Sequence, residues 1–151
     1  MTKILFFAFL IGLLLSSCKQ YKVDGIVIDH TLYENQSYSD NKELRQIIRE
    51  TLKKDEKALA KLSDFWCGEG AGCYDLGFIV TQIIYRIGEK DFSLMVLKLS
   101  KKDVKAIEDL VITGLEYGDN NNDGKMDNKQ IENEFPELNK CMKLNINEHK
   151  K

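Results

Sequence analysis

Beyond residue 40, apolar residues recur three and four positions apart along most of the chain. That spacing puts them on one face of a helix. Leu44, Ile47, Ile48 and Leu52 give a first face. Leu59, Leu62 and Phe65 or Trp66 give a second, which either continues the first helix or restarts near Asp55. Asp40 and Glu43 stand at capping-box spacing ahead of the first face, so the domain is expected to begin at Asp40. Leu76, Ile79, Val80, Ile83, Ile84 and Ile87 form the broadest face, closed by Gly88. Phe92, Met95, Val96 and Leu99 follow. Ser100 with Asp103 then caps a stretch carrying Val104, Ile107, Leu110, Val111 and Leu115, which ends at Tyr117-Gly118. Ile131 to Phe135 is a weaker segment, and Pro136 opens a last helix with Leu138, Met142 and Leu144. The pattern predicts an all-α domain over residues 40–144, a compact bundle of five or six short helices after an N-terminal tether, with a polar tail over 145–151.

The first 39 residues break this periodicity. Residues 4–15 are almost purely apolar and follow Lys3. A basic start, a short apolar run and small residues at its end define a secretory signal peptide. Residues 18–39 are more polar and are expected to form a tether, in which Val23, Ile26, Val27 and Ile28 form a short strand or pack as an arm on the domain. Removing residues 1–17 takes away only Lys3, leaving 21 basic against 24 acidic residues. So small an imbalance argues against nucleic acid as a partner.

Four cysteines occur in the chain. Export places them in an oxidising compartment. Cys67 and Cys73 enclose a loop with glycines at 68, 70 and 72, and this short bridge is the favoured pairing. Pairing of Cys141 with either of them is the alternative. Trp66 and Tyr74 flank the loop and are expected at the edge of the core, with a recognition surface as the other reading.

Leu15-Ser16-Ser17-Cys18 resembles the lipobox of bacterial lipoproteins. The resemblance implies a signal peptide over 1–17, lipidation of the Cys18 thiol, cleavage just before it and acylation of the new amino terminus. Several acyl chains on one residue would anchor it stably to a membrane. Lys19, where inner-membrane lipoproteins carry a retention aspartate, points to the outer membrane. An ordinary signal peptide cut near Ser17 is the other reading.

One segment carries candidate chemistry. Asp119-Asn120-Asn121-Asn122-Asp123-Gly124-Lys125-Met126-Asp127 resembles the calcium loop of an EF-hand. Oxygen side chains fall at loop positions 1, 3, 5 and 9 as Asp119, Asn121, Asp123 and Asp127, and Gly124 takes the sharp turn at position 6. Lys125 would offer its backbone carbonyl, and Met126 would pin the loop to the core. Position 12 is Gln130, where the family has a bidentate glutamate, so the expected Ca²⁺ affinity is weak. A polar turn between helices is the alternative.

No Ser/His/Asp or Cys/His constellation stands out, because His30 and His149 lie towards the chain ends. The sequence therefore reads as a non-enzymatic envelope lipoprotein, membrane-bound through its lipid, whose helical domain binds a protein partner. The block from Phe65 to Tyr117 is loosely similar to helical immunity-type proteins of Gram-negative bacteria, which implies a toxin-neutralising role. The competing reading is a metal-dependent enzyme or accessory factor acting on envelope polymers through the Asp-rich loop.

Overall fold

The computed structural model describes residues 21–68 and 70–147. Cys18 and the apolar run before it lie outside them. The described chain forms a two-stranded hairpin, β1 (Lys22–Val23) and β2 (Ile26–Val27), followed by eight helices. These are α1 (His30–Asn35), α2 (Tyr38–Leu52), α3 (Glu56–Ser63), α4 (Ala71–Ile87), α5 (Glu89–Val96), α6 (Lys101–Tyr117), α7 (Ile131–Glu134) and α8 (Pro136–Asn147). The all-α class stands. The helix count exceeds five or six because the first two faces belong to separate helices, the weak segment from Ile131 forms α7, and α1 is too short for periodicity to register. No helix among the described residues is long and apolar enough to cross a membrane.

α4 and α6 form the centre. Leu76, Ile79, Val80, Ile83 and Ile84 of α4, with Val104, Ile107, Val111 and Leu115 of α6, are buried almost completely. Each such side chain contributes about 1.5–3 kcal/mol of transfer free energy. Tyr74 stacks on Tyr117 with ring centroids 4.6 Å apart, and Gly77 meets Gly114, so the two helices run antiparallel. At that crossing the backbones touch. A methyl on Gly77 would stand 2.6 Å from the Leu110 carbonyl oxygen, and one on Gly114 would overlap the Gly77 carbonyl. The remaining elements pack around this pair: α2 on α3, α3 on α6, α8 on α5 and α6, and the hairpin with α1 on α4.

Within the segment expected as a tether, Val23, Ile26 and Val27 lie in a short strand pair and, with Ile28, pack as an arm on the domain, so the chain belongs to the domain from residue 21. Val23, Ile26, Ile28 and Leu32 are buried in the common core. Two side chains of α4 clamp this arm. The Gln82 amide pairs with Val27 in both directions, accepting from its N–H at 2.8 Å and donating to its carbonyl at 3.0 Å. Asp75 accepts the Leu32 N–H at 2.7 Å, answering one of the free donors at the start of α1. Burial raises the Asp75 carboxyl above its ordinary value, although hydrogen bonds from the Leu32 and Thr31 backbone oppose the rise. The α2 cap also lies upstream of its expected place. Ser37 and Asp40 form a capping box, so Asp40 is the third helical residue rather than the cap. Asp55 restarts the chain as α3 by accepting from Lys57 and Ala58. At the other end, α8 continues through Asn145 to Asn147, three residues into the expected tail.

Cys67 and Cys73 are bridged, with Cα atoms 4.9 Å apart, and Gly68 and Gly70 take positive φ to make the turn. So short a loop contributes on the order of 2 kcal/mol in the chain-entropy picture. Cys141 remains a free, half-buried thiol against the Ser93 carbonyl of α5.

Two outcomes are expected. Gly114→Ala forces the central helices apart and should destabilise by on the order of 3 kcal/mol, read as a lower urea midpoint. Asp75→Asn keeps an acceptor for Leu32 and removes the buried charge. A carboxyl whose pKa is raised by folding destabilises the native state above that pKa and ceases to do so once protonated. The variant should therefore melt higher than wild type at pH 7, and the advantage should shrink towards pH 3.

Candidate metal centre

Residues 119–130 leave the end of α6 and lead into α7, and their first task is to finish α6. A helix end leaves carbonyls without partners. The chain turns back after the acidic run so that Asp127, Asn128 and Lys129 donate their N–H groups to the carbonyls of Gly118, Glu116 and Leu115, at 3.0, 3.1 and 2.9 Å.

The acidic run is held by side chains accepting backbone N–H groups. Asp119 accepts from Asp123 and Gly124, both at 2.9 Å. Asn121 also accepts from Asp123 at 2.9 Å, and Asp123 accepts from Lys125 at 2.9 Å. Gly124 turns at φ 82°, the left-handed conformation expected at loop position 6. Asp119, Asn121 and Asp123 are thus drawn into one turn, with the Lys125 backbone joined to it.

Asp127 closes the loop from the far side. Its Oδ2 accepts the Asn120 N–H at 3.1 Å and faces Lys129 Nζ at 3.6 Å. Its side chain is 1 % exposed, and Oδ1 is buried without a hydrogen-bond partner among the described residues. An unpartnered buried carboxylate oxygen is costly and calls for a donor or a cation. The donor set of Asp119, Asn121, Asp123 and Asp127 is all oxygen, as a hard cation requires. Among the described residues no three His, Cys, Asp or Glu side chains converge closely enough to form a ready-made cage. Gln130 is the N-cap of α7, and its carbonyl accepts from Asn133 and Glu134. Its side chain makes no hydrogen bond to the loop among the described residues.

Met126 does not pin the loop, being 61 % exposed. The residue that does is Asn120, at loop position 2. Its Oδ1 accepts from Thr81 Oγ1 of α4 at 2.8 Å, and its Nδ2 donates to the Gly114 carbonyl at 3.0 Å. In a run of five Asn and Asp residues nothing local distinguishes Asn120. Only its place above the Gly77–Gly114 crossing does.

Lys129 is the second residue without a local signature. Besides Asp127 it reaches Tyr85 Oη at 3.2 Å and Glu134 at 3.5 Å. The Tyr85 hydroxyl donates to Glu134 at 2.5 Å, and burial together with that carboxylate pushes Tyr85 up to about 12. Burial opposes the charge on Lys129, but the Tyr85 hydroxyl, Glu134 and Asp127 outweigh it and raise its pKa. Lys129 thus stays charged and supplies an internal counter-ion to Asp127.

Trp66 is 65 % exposed and is not the core-edge residue expected, whereas Tyr74 is partly exposed and stacks on Tyr117 at the edge of the central helix pair. Asp75, near the start of α4, turns its carboxylate to the backbone of α1. Comparison with protein-family models, curated proteins and solved structures gives no match.

Proposed function

We propose that this chain is a non-enzymatic lipoprotein of the bacterial cell envelope whose helical domain binds a protein partner, with a weak structural Ca²⁺ site in the 119–130 loop. The observation that carries partner binding is Trp66, whose large indole is held out to solvent beside a disulfide-braced turn. Amphipathic aromatic rings on a fixed backbone are common anchors of protein interfaces. Neutralising a toxin, as the immunity-type resemblance implies, is one form of this role. No observation favours the enzyme reading. Tyr85, the hydroxyl tied to the loop through Lys129, is pushed up to about 12 and is poorly suited to act as a base near neutral pH.

The calcium reading is supported by the unpartnered Asp127 Oδ1. Asp119, Asn121, Asp123 and Asp127 would hold the ion, with the Lys125 carbonyl and Gln130. Bound Ca²⁺ would neutralise the loop's carboxylates and so steady the joint between α6 and α7. Two features keep the affinity low. Gln130 brings no charge, and Lys129 already balances Asp127 from 3.6 Å.

Melting curves with no calcium and with several millimolar calcium test the site, with magnesium as the control for ionic strength. Ligand that binds only the folded state raises stability by about 2.7 kcal/mol at a hundredfold excess over the dissociation constant. Wild type should melt higher in calcium. Asp119→Ala combined with Asp123→Ala should lose the rise, and Gln130→Glu should enlarge it. Identical wild-type curves would leave the loop a polar turn.

The anchor and the partner are tested together in the envelope fraction. The mature protein should carry acyl mass on Cys18, whereas Cys18→Ala should be uncleaved or soluble. After cross-linking in cells, the tagged protein should retain one defined partner through stringent washing. A mature mass without acyl chains overturns the lipoprotein assignment, and recovery of the protein alone overturns partner binding.

A further inference from the structure

A cleft of about 470 Å³ opens between α2 and α3, beside Trp66. Its polar lining is strongly one-sided. Asp40, Glu43 and Asp64 face it against a single ammonium, Lys61. Asp40 is already used by the α2 capping box, and Asp64 is paired with Lys102 at 2.6 Å. Glu43 is exposed and has no hydrogen-bond or ion-pair partner among the described residues.

Gln36 also lines the cleft. It is only 8 % exposed, and its Oε1 is buried without a hydrogen-bond partner. Rotating the amide does not cure this. Nε2 donates to the Trp66 carbonyl at 2.8 Å, so a flip would set two acceptors against each other. The same bond fixes the backbone of Trp66 on one side, and the Cys67–Cys73 bridge fixes it on the other. The cleft thus offers an indole face and a free carboxylate, and just beneath its surface Gln36 keeps an amide oxygen that lacks a donor. Such a set asks for a flat cation with several N–H groups. A guanidinium stacks on aromatic rings, binds carboxylates through paired N–H groups, and is less strongly hydrated than an ammonium.

We propose that this cleft seats an arginine side chain of the partner protein, with its guanidinium against Trp66 and Glu43 and over Gln36 Oε1. The assignment rests on the partner-binding reading given above and names the chemistry that the partner must present.

Trp66 is the sole tryptophan of the chain, so its emission reports on the cleft directly. The full chain in detergent is titrated, at fixed ionic strength, with acetyl-Gly-Arg-Gly-amide and with its lysine counterpart. The arginine peptide should produce a saturable change with a dissociation constant on the order of millimolar, as befits a single side chain. The lysine peptide should bind more weakly. Glu43→Gln should weaken the arginine peptide about threefold to fivefold, the range of an exposed ion pair. An absent or unsaturable response, equal responses to the two peptides, or no effect of Glu43→Gln overturns the proposal.

Capture of the partner in cells separates this proposal from the reading beneath it. Trp66→Ala removes an exposed ring and leaves the core intact. A partner held equally by wild type and Trp66→Ala sustains partner binding and overturns the cleft as its arginine site. Saturable arginine binding with no partner recovered sustains the cleft and overturns partner binding.

Discussion

The contact between Gly77 and Gly114 sets the geometry of the whole domain. Where two helices carry side chains at their crossing, their axes stay 8–10 Å apart. Here neither residue has a side chain, and a methyl on either would strike the backbone of the other helix. This close approach lets the β-branched and leucine side chains on both flanks interlock, so that Ile79, Ile83, Ile107 and Val111 are removed completely from water. It also brings Thr81 of α4 and the Gly114 carbonyl of α6 to one point, where a single amide, Asn120, reaches both.

From that point the acidic loop acquires its place. Asn120 holds its entry, the carbonyls at the end of α6 take the N–H groups of its exit, and Lys129 ties it to Tyr85 and Glu134. The loop is therefore shaped by helix termination and helix crossing as much as by any cation. This accounts for a turn that keeps the spacing of a calcium loop while lacking the charged closing ligand. Its Asx side chains satisfy the backbone, and one buried oxygen, Asp127 Oδ1, is left over.

A second constraint operates at the start of α4. The bridge between Cys67 and Cys73 turns the chain sharply into that helix and leaves Trp66 outside the core. Gln36, immediately ahead of α2, reaches across to the Trp66 carbonyl. The exposed indole thus sits on a backbone held by a covalent bond and a hydrogen bond. That rigidity lowers the ordering cost of any contact made there. The loop of α6 and the cleft of α2 and α3 are distinct features, and the central helix pair positions both.

Much of this was legible in the chain because it depends on neighbours in sequence. The 3–4 spacing of apolar residues gives the faces of α2 to α6 and α8, Ser100 and Asp55 give their caps, and the short glycine-rich loop gives the Cys67–Cys73 bridge. The oxygen spacing from Asp119 to Asp127 likewise shows which side chains can share one turn. Tertiary structure alone decided the rest. Residues 21–35 look like a tether because their apolar positions are too few to show a period, yet Gln82 and Asp75, some 40–55 residues away, satisfy their backbone and draw Val23, Ile28 and Leu32 into the core. Asn120 and Asn121 are the same residue type in one run, and only the glycine crossing makes the first an anchor and leaves the second to the turn. Trp66 has the hydrophobicity of a core residue, and the disulfide beside it decides that it faces water. Periodicity records local geometry, whereas these three outcomes depend on partners that only the folded chain brings within reach.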